Sequence, residues 1–396
     1  IEGRSFTERL ELEVGGRFSH YSTAGDSWTW KAGGQWFPVE NLRFRGMWQR
    51  AVRAPNIEEV LQAPSVFTEF VGGGDFCLAV NDPVGRGFSD VCIAQGMDPA
   101  QVGVYDIPPG VDIDDFEIPY DLVVRGNPNL EPERAGTITV GADYTFETPY
   151  HLQLGVDYFD IRLKGAIAFT GSNFDLCELI ADPDSDSCTL ITRDPTGFPI
   201  SSIQQPLNLS VARVKGVDLN LRFSAAAPDF LAPEGGADIG IRSQATHYIE
   251  FGDALTTSTP FVDCAGGFSG SCGLTGPATT YPDKVVNTTF SYDATRWSAS
   301  LRWRWISGQE NLAPVFDELA NLPPPNLPIT SIGSRNYLDA AIRFDIADGV
   351  ELRTGVDNIL GTNPPLLADE QSQANTDPAR YTVLGRRIFV RVEMRL

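Results

Sequence analysis

The six cysteines, Cys77, Cys92, Cys177, Cys188, Cys264 and Cys272, carry the most definite chemistry in this chain, and they fall as three close pairs in three turn-rich segments. No Cys-x-x-Cys spacing occurs, so the pattern does not read as zinc. Three local disulfides are expected instead, Cys77 with Cys92, Cys177 with Cys188 and Cys264 with Cys272, and they imply an oxidising compartment. By the chain-entropy argument each contributes on the order of 2–3 kcal/mol. The three histidines, His20, His151 and His247, lie on separate strands or turns, and no GxSxG elbow or metal-spaced histidine set accompanies them. No catalytic residue, metal or cofactor is nominated, and the chain is not read as an enzyme.

Acidic groups come next. "DPDSDSC" places Asp182, Asp184 and Asp186 at the first three spacings of a calcium loop, but Ser187 stands where Gly is required and Arg193 where the closing Glu belongs. A second acid cluster, Asp112 to Glu117, and the flexible triplet Gly72 to Gly74 read as solvated loop. Formal net charge is −22, and residues 52–134 hold 15 acids against 4 bases, a net of −11 and half of that total. Such a balance excludes nucleic acid as a partner, because phosphate binding runs on clustered Lys and Arg. An acidic surface of this kind draws in cationic or metal-bound ligands, or bridges divalent ions to lipopolysaccharide.

The elements that position these groups are strands. In "LELEVGGRFSH" Leu10, Leu12, Val14 and Phe18 share one face and Glu11, Glu13 and Arg17 the other, which is period two. The same alternation recurs until about twelve strands are counted, ending in "RRIFVRVEMRL". No apolar run approaches the roughly 18 residues of a membrane helix. A membrane barrel escapes that test, because its lipid-facing and lumen-facing residues alternate. The one helical signal is "APNIEEVLQ", with Pro55 suited to the first helical position.

Connections alternate between short ("PVEN", "ETPYH", "DATR", "ADGV") and long, the long ones covering 54–133, 165–206, 252–283, 307–335 and 361–385. All cysteine pairs lie on the long side. A soluble sandwich has no reason to sort loop length by end, whereas an outer-membrane barrel has short periplasmic turns and long extracellular loops. Trp28, Trp36, Trp48, Trp297, Trp303, Trp305, Tyr144 and Tyr158 sit near strand ends or on the apolar face, as interfacial girdles require. The opposed face carries Arg43, Arg45, Asp157, Asp218, Asn220, Arg222, Arg302, Arg304, Arg343, Arg391 and Arg395, too polar for a second dry layer. Val217, Leu219, Leu221, Trp303, Ile342, Val390 and Val392 are thus assigned to lipid. Asp218, Arg302, Arg304, Arg343 and Arg391 are assigned to the lumen.

On that pattern stand, in order, "RAPN" (Arg53, Ala54, Pro55, Asn56), "GNPNLEPE" (with Asn127, Pro128, Leu130, Pro132 and Glu133), "KGVDLNL", "GVDNIL" and the terminal "GRRIFVRVEMRL". Together they resemble the C-terminal part of a TonB-dependent outer-membrane receptor, over essentially the whole chain. The resemblance implies an all-β transmembrane antiparallel barrel, these strands being the last twelve of 22. Residues 54–133 are then one large acidic extracellular loop rather than a domain boundary. It also implies that Glu133 and Asp218, the latter Asp where Glu is usual, face the lumen and hold arginines of an N-terminal plug. The family usually ends in an aromatic; here Leu396 is last and Phe389 lies seven positions back, a departure that bears on assembly rather than fold.

The same resemblance implies a receptor of the Gram-negative outer membrane, taking up a scarce solute such as a siderophore, cobalamin or carbohydrate. Its partners would be outer-membrane lipid and lipopolysaccharide, its own plug, the TonB coupling protein reached through that plug, and a small-molecule ligand at the external loops. The chain opens in what reads as a strand, without a signal peptide, and "IEGR" resembles a protease-site scar, so the natural N-terminus is expected upstream. Two other classes fit the alternation: a self-contained twelve-stranded barrel (autotransporter translocator or outer-membrane hydrolase), and a secreted β-rich carbohydrate binder.

Overall fold

The computed structural model describes every residue except 1, 5–6, 23–24, 72–73, 108–116, 148, 170–171, 233–234, 255–259, 269–279, 320–324, 368–374 and 395–396. Cys272, most of the Asp112–Glu117 cluster, Gly72, Gly73, Arg395 and Leu396 therefore lie outside the described residues.

Period-two alternation becomes one antiparallel meander. Twelve long strands run in chain order: Thr7–Tyr21, Gly25–Val39, Leu42–Arg53, Glu133–Phe146, His151–Ala168, Leu207–Ala226, Ala237–Ala254, Lys284–Ala294, Trp297–Ile306, Arg335–Ala347, Val350–Asp357 and Arg387–Met394. Each pairs with the next, and the short Glu2–Arg4 strand adds to the first. Leu42–Arg53 pairs directly with Glu133–Phe146, Arg53 opposite Glu133, so the 79 residues between them are an excursion from one hairpin. Among the described residues the sheet is open between Glu2–Arg4 and Arg387–Met394.

Register keeps the two faces apart. Asp218 stands opposite Asp157 and Thr246, whereas Leu219 stands opposite Val156 and Ala245. Arg343, Arg353 and Arg391 form one row, and Ile342, Thr354 and Val390 the adjoining row on the other face. A slip of one residue would exchange every such pair between faces. Aromatics on the apolar face collect at two levels: Phe18 against Trp28 and Trp30 against Trp48 towards the long loops, Trp36 against Phe44 and Tyr292 against Trp297 towards the short turns. Trp297 and Trp305 bound one strand eight residues apart, about 26 Å at about 3.3 Å per residue. That matches an apolar band of about 25 Å, less the tilt of the strands.

The long connections are folded. Segments Ser65–Val71, Ile118–Val124, Pro199–Gln204 and Ile191–Arg193 form a four-stranded sheet built from the first two long loops, with Pro199–Gln204 parallel to Ile118–Val124. Its core includes Phe76, Leu78, Val91, Tyr105, Phe174 and Ile191. The Cys77–Cys92 and Cys177–Cys188 disulfides cross that core with Cα separations of 5.9 and 4.8 Å. Cys264 is also disulfide-bonded, but its expected partner Cys272 is not described. Two later loops supply a second small sheet, Gly267–Phe268, Thr280–Tyr281, Gln309–Asn311 and Ser331–Ile332. Phe268, Ile306, Ile332, Tyr337, Leu367 and Tyr381 pack together beside it.

Candidate functional site

The polar face is a connected charge network. Arg43 donates to Asp143 at 2.9 and 2.6 Å, and Arg45 bridges Asp143 and Asp157. Lys31 pairs with Glu13 one strand away. Arg43 with Asp143, and Lys31 with Glu13, stand opposite or diagonal across neighbouring strands, where side chains of one face reach each other, while Arg45 reaches Asp157 over Gly141 on the intervening strand. Asp218 differs: Thr246 Oγ1 donates to it at 2.6 Å, and it has no cationic partner among the described residues. Directly across from it, Asp157 is already neutralised by Arg45. Asp218 is the carboxylate of this row left open to a cation.

Glu133 is placed differently from Asp218. It is buried, receives Nε and Nη2 of Arg53 at 2.7 and 2.8 Å, and accepts the Ile167 N–H at 2.7 Å. Both its oxygens are engaged within the chain. Arg53 reaches on to Glu59 at 3.0 Å. The helix Ile57–Leu61 is capped by Asn56, whose Oδ1 accepts from Glu59 N while Glu59 accepts from Asn56 N. Pro55 thus precedes the cap instead of opening the helix, because Asn56 takes the cap position and its Oδ1 satisfies the orphan Glu59 N–H of the first turn.

The second motif closes on the first. Asn127 N–H donates to Glu59 O at 2.8 Å, and the Asn127 amide spans Pro206 O at 2.9 Å and Asn129 N at 3.0 Å. Leu130 is buried, and Glu131 exchanges hydrogen bonds of 2.8 Å with Asn208. Pro128 and Pro132 fix φ where the chain re-enters the sheet. The "RAPN" and "GNPNLEPE" residues therefore form a clasp that joins the roots of the first two long loops at the sheet rim.

Above the clasp, Arg193 is fully buried. Its guanidinium donates to Asp75 at 2.7 and 2.6 Å, to Gln95 Oε1 at 2.7 Å and to Gly197 O at 3.0 Å. Burial and the Asp75 charge push the Tyr105 hydroxyl well above its ordinary pKa. Arg193 is thus an internal strut, and Asp182 receives its own loop's N–H from Asp184. Among the described residues no three His, Cys, Asp or Glu side chains cluster around a cation position. The histidines stay apart; His20 meets Asp26 at 2.6 Å on an exposed turn. Sequence reasoning missed Asp75, Gln95 and Arg193 as a unit, since 118 residues separate the charged pair and nothing local marks it.

An antiparallel wall with one apolar girdled face, one charged face and folded loops at a single end defines an outer-membrane β-barrel wall. The chain belongs to the TonB-dependent receptor-like β-barrel family, whose model matches residues 4–359. That family consists of transporters, not enzymes, of the Gram-negative outer membrane. A comparison with curated proteins finds no match. Among solved structures, the siderophore receptor PirA from Acinetobacter baumannii is similar at 16% identity and TM-score 0.57, over 98% of this chain and 44% of that one. A point variant of the ferric enterobactin receptor PfeA from Pseudomonas aeruginosa, in complex with enterobactin, is similar at 15% identity and TM-score 0.59, over 97% and 43%. At these identities the likeness is one of fold. The chain spans less than half the length of these receptors.

Proposed function

We propose that this chain is the C-terminal barrel wall and ligand-capturing loop region of an energy-coupled outer-membrane receptor for a scarce solute. A siderophore, cobalamin or carbohydrate is the class of solute. The observation that carries the reading is the segregation of the wall: short turns at one end, a loop domain braced by two disulfides and a second small loop sheet at the other, and a charged face between them. On this reading residues 54–133 are one extracellular excursion, which with 169–206 makes a rigid capture surface. An N-terminal plug fills the lumen, and TonB acts through it.

Plug holding rests on Asp218, the carboxylate with no cation of its own, where a plug arginine would complete a charge-assisted pair. Glu133 acts with Arg53 as the lumenal root of the clasp, so a plug contact there meets the pair rather than a bare carboxylate. The test is uptake by cells carrying the full-length receptor, grown in turn with limiting iron, cobalamin or a single carbohydrate. Uptake of one such solute, lost when TonB is deleted, is the expected result. Uptake of none of them, or uptake indifferent to TonB, overturns the proposal.

A further inference from the structure

Acids hold several arginines of the lumen face: Asp143 and Asp157 take Arg43 and Arg45, and Asp339 takes Arg302 at 2.9 and 2.7 Å. Two more are left over. Arg222 and Arg242 stand directly opposite each other on neighbouring strands, and neither has an acidic partner among the described residues. Asp218 lies four residues along one strand towards the long loops, and Asp238, with Asp293 opposite, four residues along the other towards the short turns. Each is about 13 Å away at about 3.3 Å per residue, beyond a Debye length of about 8 Å. Like charges directly opposite destabilise a sheet, so the arginine pair calls for an anion of its own.

The pair opens onto a recess of about 440 Å³ that is also lined by His151, Ser224, Thr289 and Ser291. Register puts all of these on the face of Asp218: Arg242 stands opposite Thr289, Ser224 stands between His151 and Gly240, and Gly240 faces Ser291. Gly240 makes the hollow, since a Cβ there would lie 2.5 Å from Ser291 Oγ. Two guanidinium forks, an imidazole and three hydroxyls thus offer donors around one small space. A guanidinium matches the oxygens of a carboxylate or phosphate in pairs, and a recess of this kind suits a compact anion better than the flat contact of a protein surface. It sits at the short-turn end of the lumen, opposite the capture loops, where a solute that has crossed the wall would leave.

We infer that the recess is an exit-side oxyanion site, in which Arg222 and Arg242 hold a carboxylate or phosphate group of the transported solute on its way to the periplasm. The role in transit rests on the uptake reading above and narrows it, because the solute must then carry an oxyanion of more than one charge. The binding itself does not rest on that reading.

The test dialyses the full-length receptor, in uncharged detergent, against radiolabelled inorganic phosphate and, separately, citrate. One anion per receptor should bind, and neutral maltose should not displace it. A charge-assisted contact to an arginine is worth on the order of tenfold, so Arg222→Gln/Arg242→Gln should bind on the order of 100-fold more weakly. Arg222→Lys/Arg242→Lys, which keeps the charge and loses the fork, should recover part of the affinity and guards against a misfolded double variant. Arg302→Gln, whose guanidinium Asp339 already holds, should bind as the wild type does. In the uptake test above, Arg222→Gln/Arg242→Gln should slow uptake about tenfold or more with surface binding of the solute unchanged. A wild-type receptor that binds neither anion, as when an acidic side chain of the plug occupies the pair, overturns the inference, and so does equal binding by the Gln double variant. Lost dialysis binding with normal uptake makes the recess a site for free phosphate and overturns the role in transit. A receptor that carries none of the solutes fails the uptake reading, while dialysis still decides the site.

Discussion

Replacing Arg193 by Ala should unlock the first loop domain while leaving the wall intact. The wild-type guanidinium is wholly buried and makes four hydrogen bonds, two of them to Asp75, which is equally buried. Truncation leaves the Asp75 carboxylate with the Cys77 N–H at 3.1 Å and the Tyr105 hydroxyl at 3.5 Å. Removing one partner of a buried pair costs about 3–5 kcal/mol, which is on the order of a hundred- to a thousandfold or more in a local opening equilibrium. Hydrogen exchange read by mass spectrometry should show that loss in residues 74–107 and 172–206, with the Leu207–Ala226 strand unchanged. Replacing the pair together, Arg193→Met with Asp75→Leu, removes the stranded charge and should recover most of the protection. If the single and double variants exchange alike, the buried pair is not what holds the domain together and the reasoning fails.

Gly96 has φ +115° and would place a Cβ 2.5 Å from Arg193 O, so Gly96→Ala should cost about 1–3 kcal/mol, read as a lower denaturant midpoint for the same domain. Asp283 is partly desolvated, but Lys284 and Ser307 donate to it and hold its pKa below the ordinary 3.8. A depressed carboxylate stabilises above its unfolded pKa and loses that stabilisation as pH falls through the folded value. The stability gap between wild type and Asp283→Asn should therefore be widest at neutral pH and close below pH 3.8; a gap that widens in acid would reverse the assignment. In the full-length receptor, Asp218→Ala should make the outer membrane leakier to large solutes while ligand binding at the loops stays near wild type. Asp218→Glu should restore the barrier, and loss of surface binding with a normal barrier would move Asp218 from the plug to the ligand.

The wall was legible because a sheet with one face in lipid imposes strict alternation, and Leu10, Leu12 and Val14 against Glu11 and Glu13 report it directly. Loop length supplied the orientation. Chain-local chemistry supplied the disulfides, since Cys77 with Cys92 and Cys177 with Cys188 close within single excursions. The folding of the loops onto one another was not legible. Ile191–Arg193 and Pro199–Gln204 are too short for a period to show; they pair with each other, and Pro199–Gln204 pairs across to Ile118–Val124 of the first long loop. For the same reason Arg193 read as a failed calcium ligand, although it is the strut of that domain. The lumen placement of Glu133 came from the resemblance alone, and its pairing with Arg53 depends on a register that only the closed hairpin reveals.

Single cysteines placed at Val80, exposed in the first loop domain, and at Asp348, in a short turn, test the whole arrangement in intact cells. A membrane-impermeant maleimide should label Val80→Cys on the cell surface and Asp348→Cys only after the outer membrane is opened. Labelling of Asp348→Cys in intact cells with Val80→Cys protected would invert the wall and contradict the account.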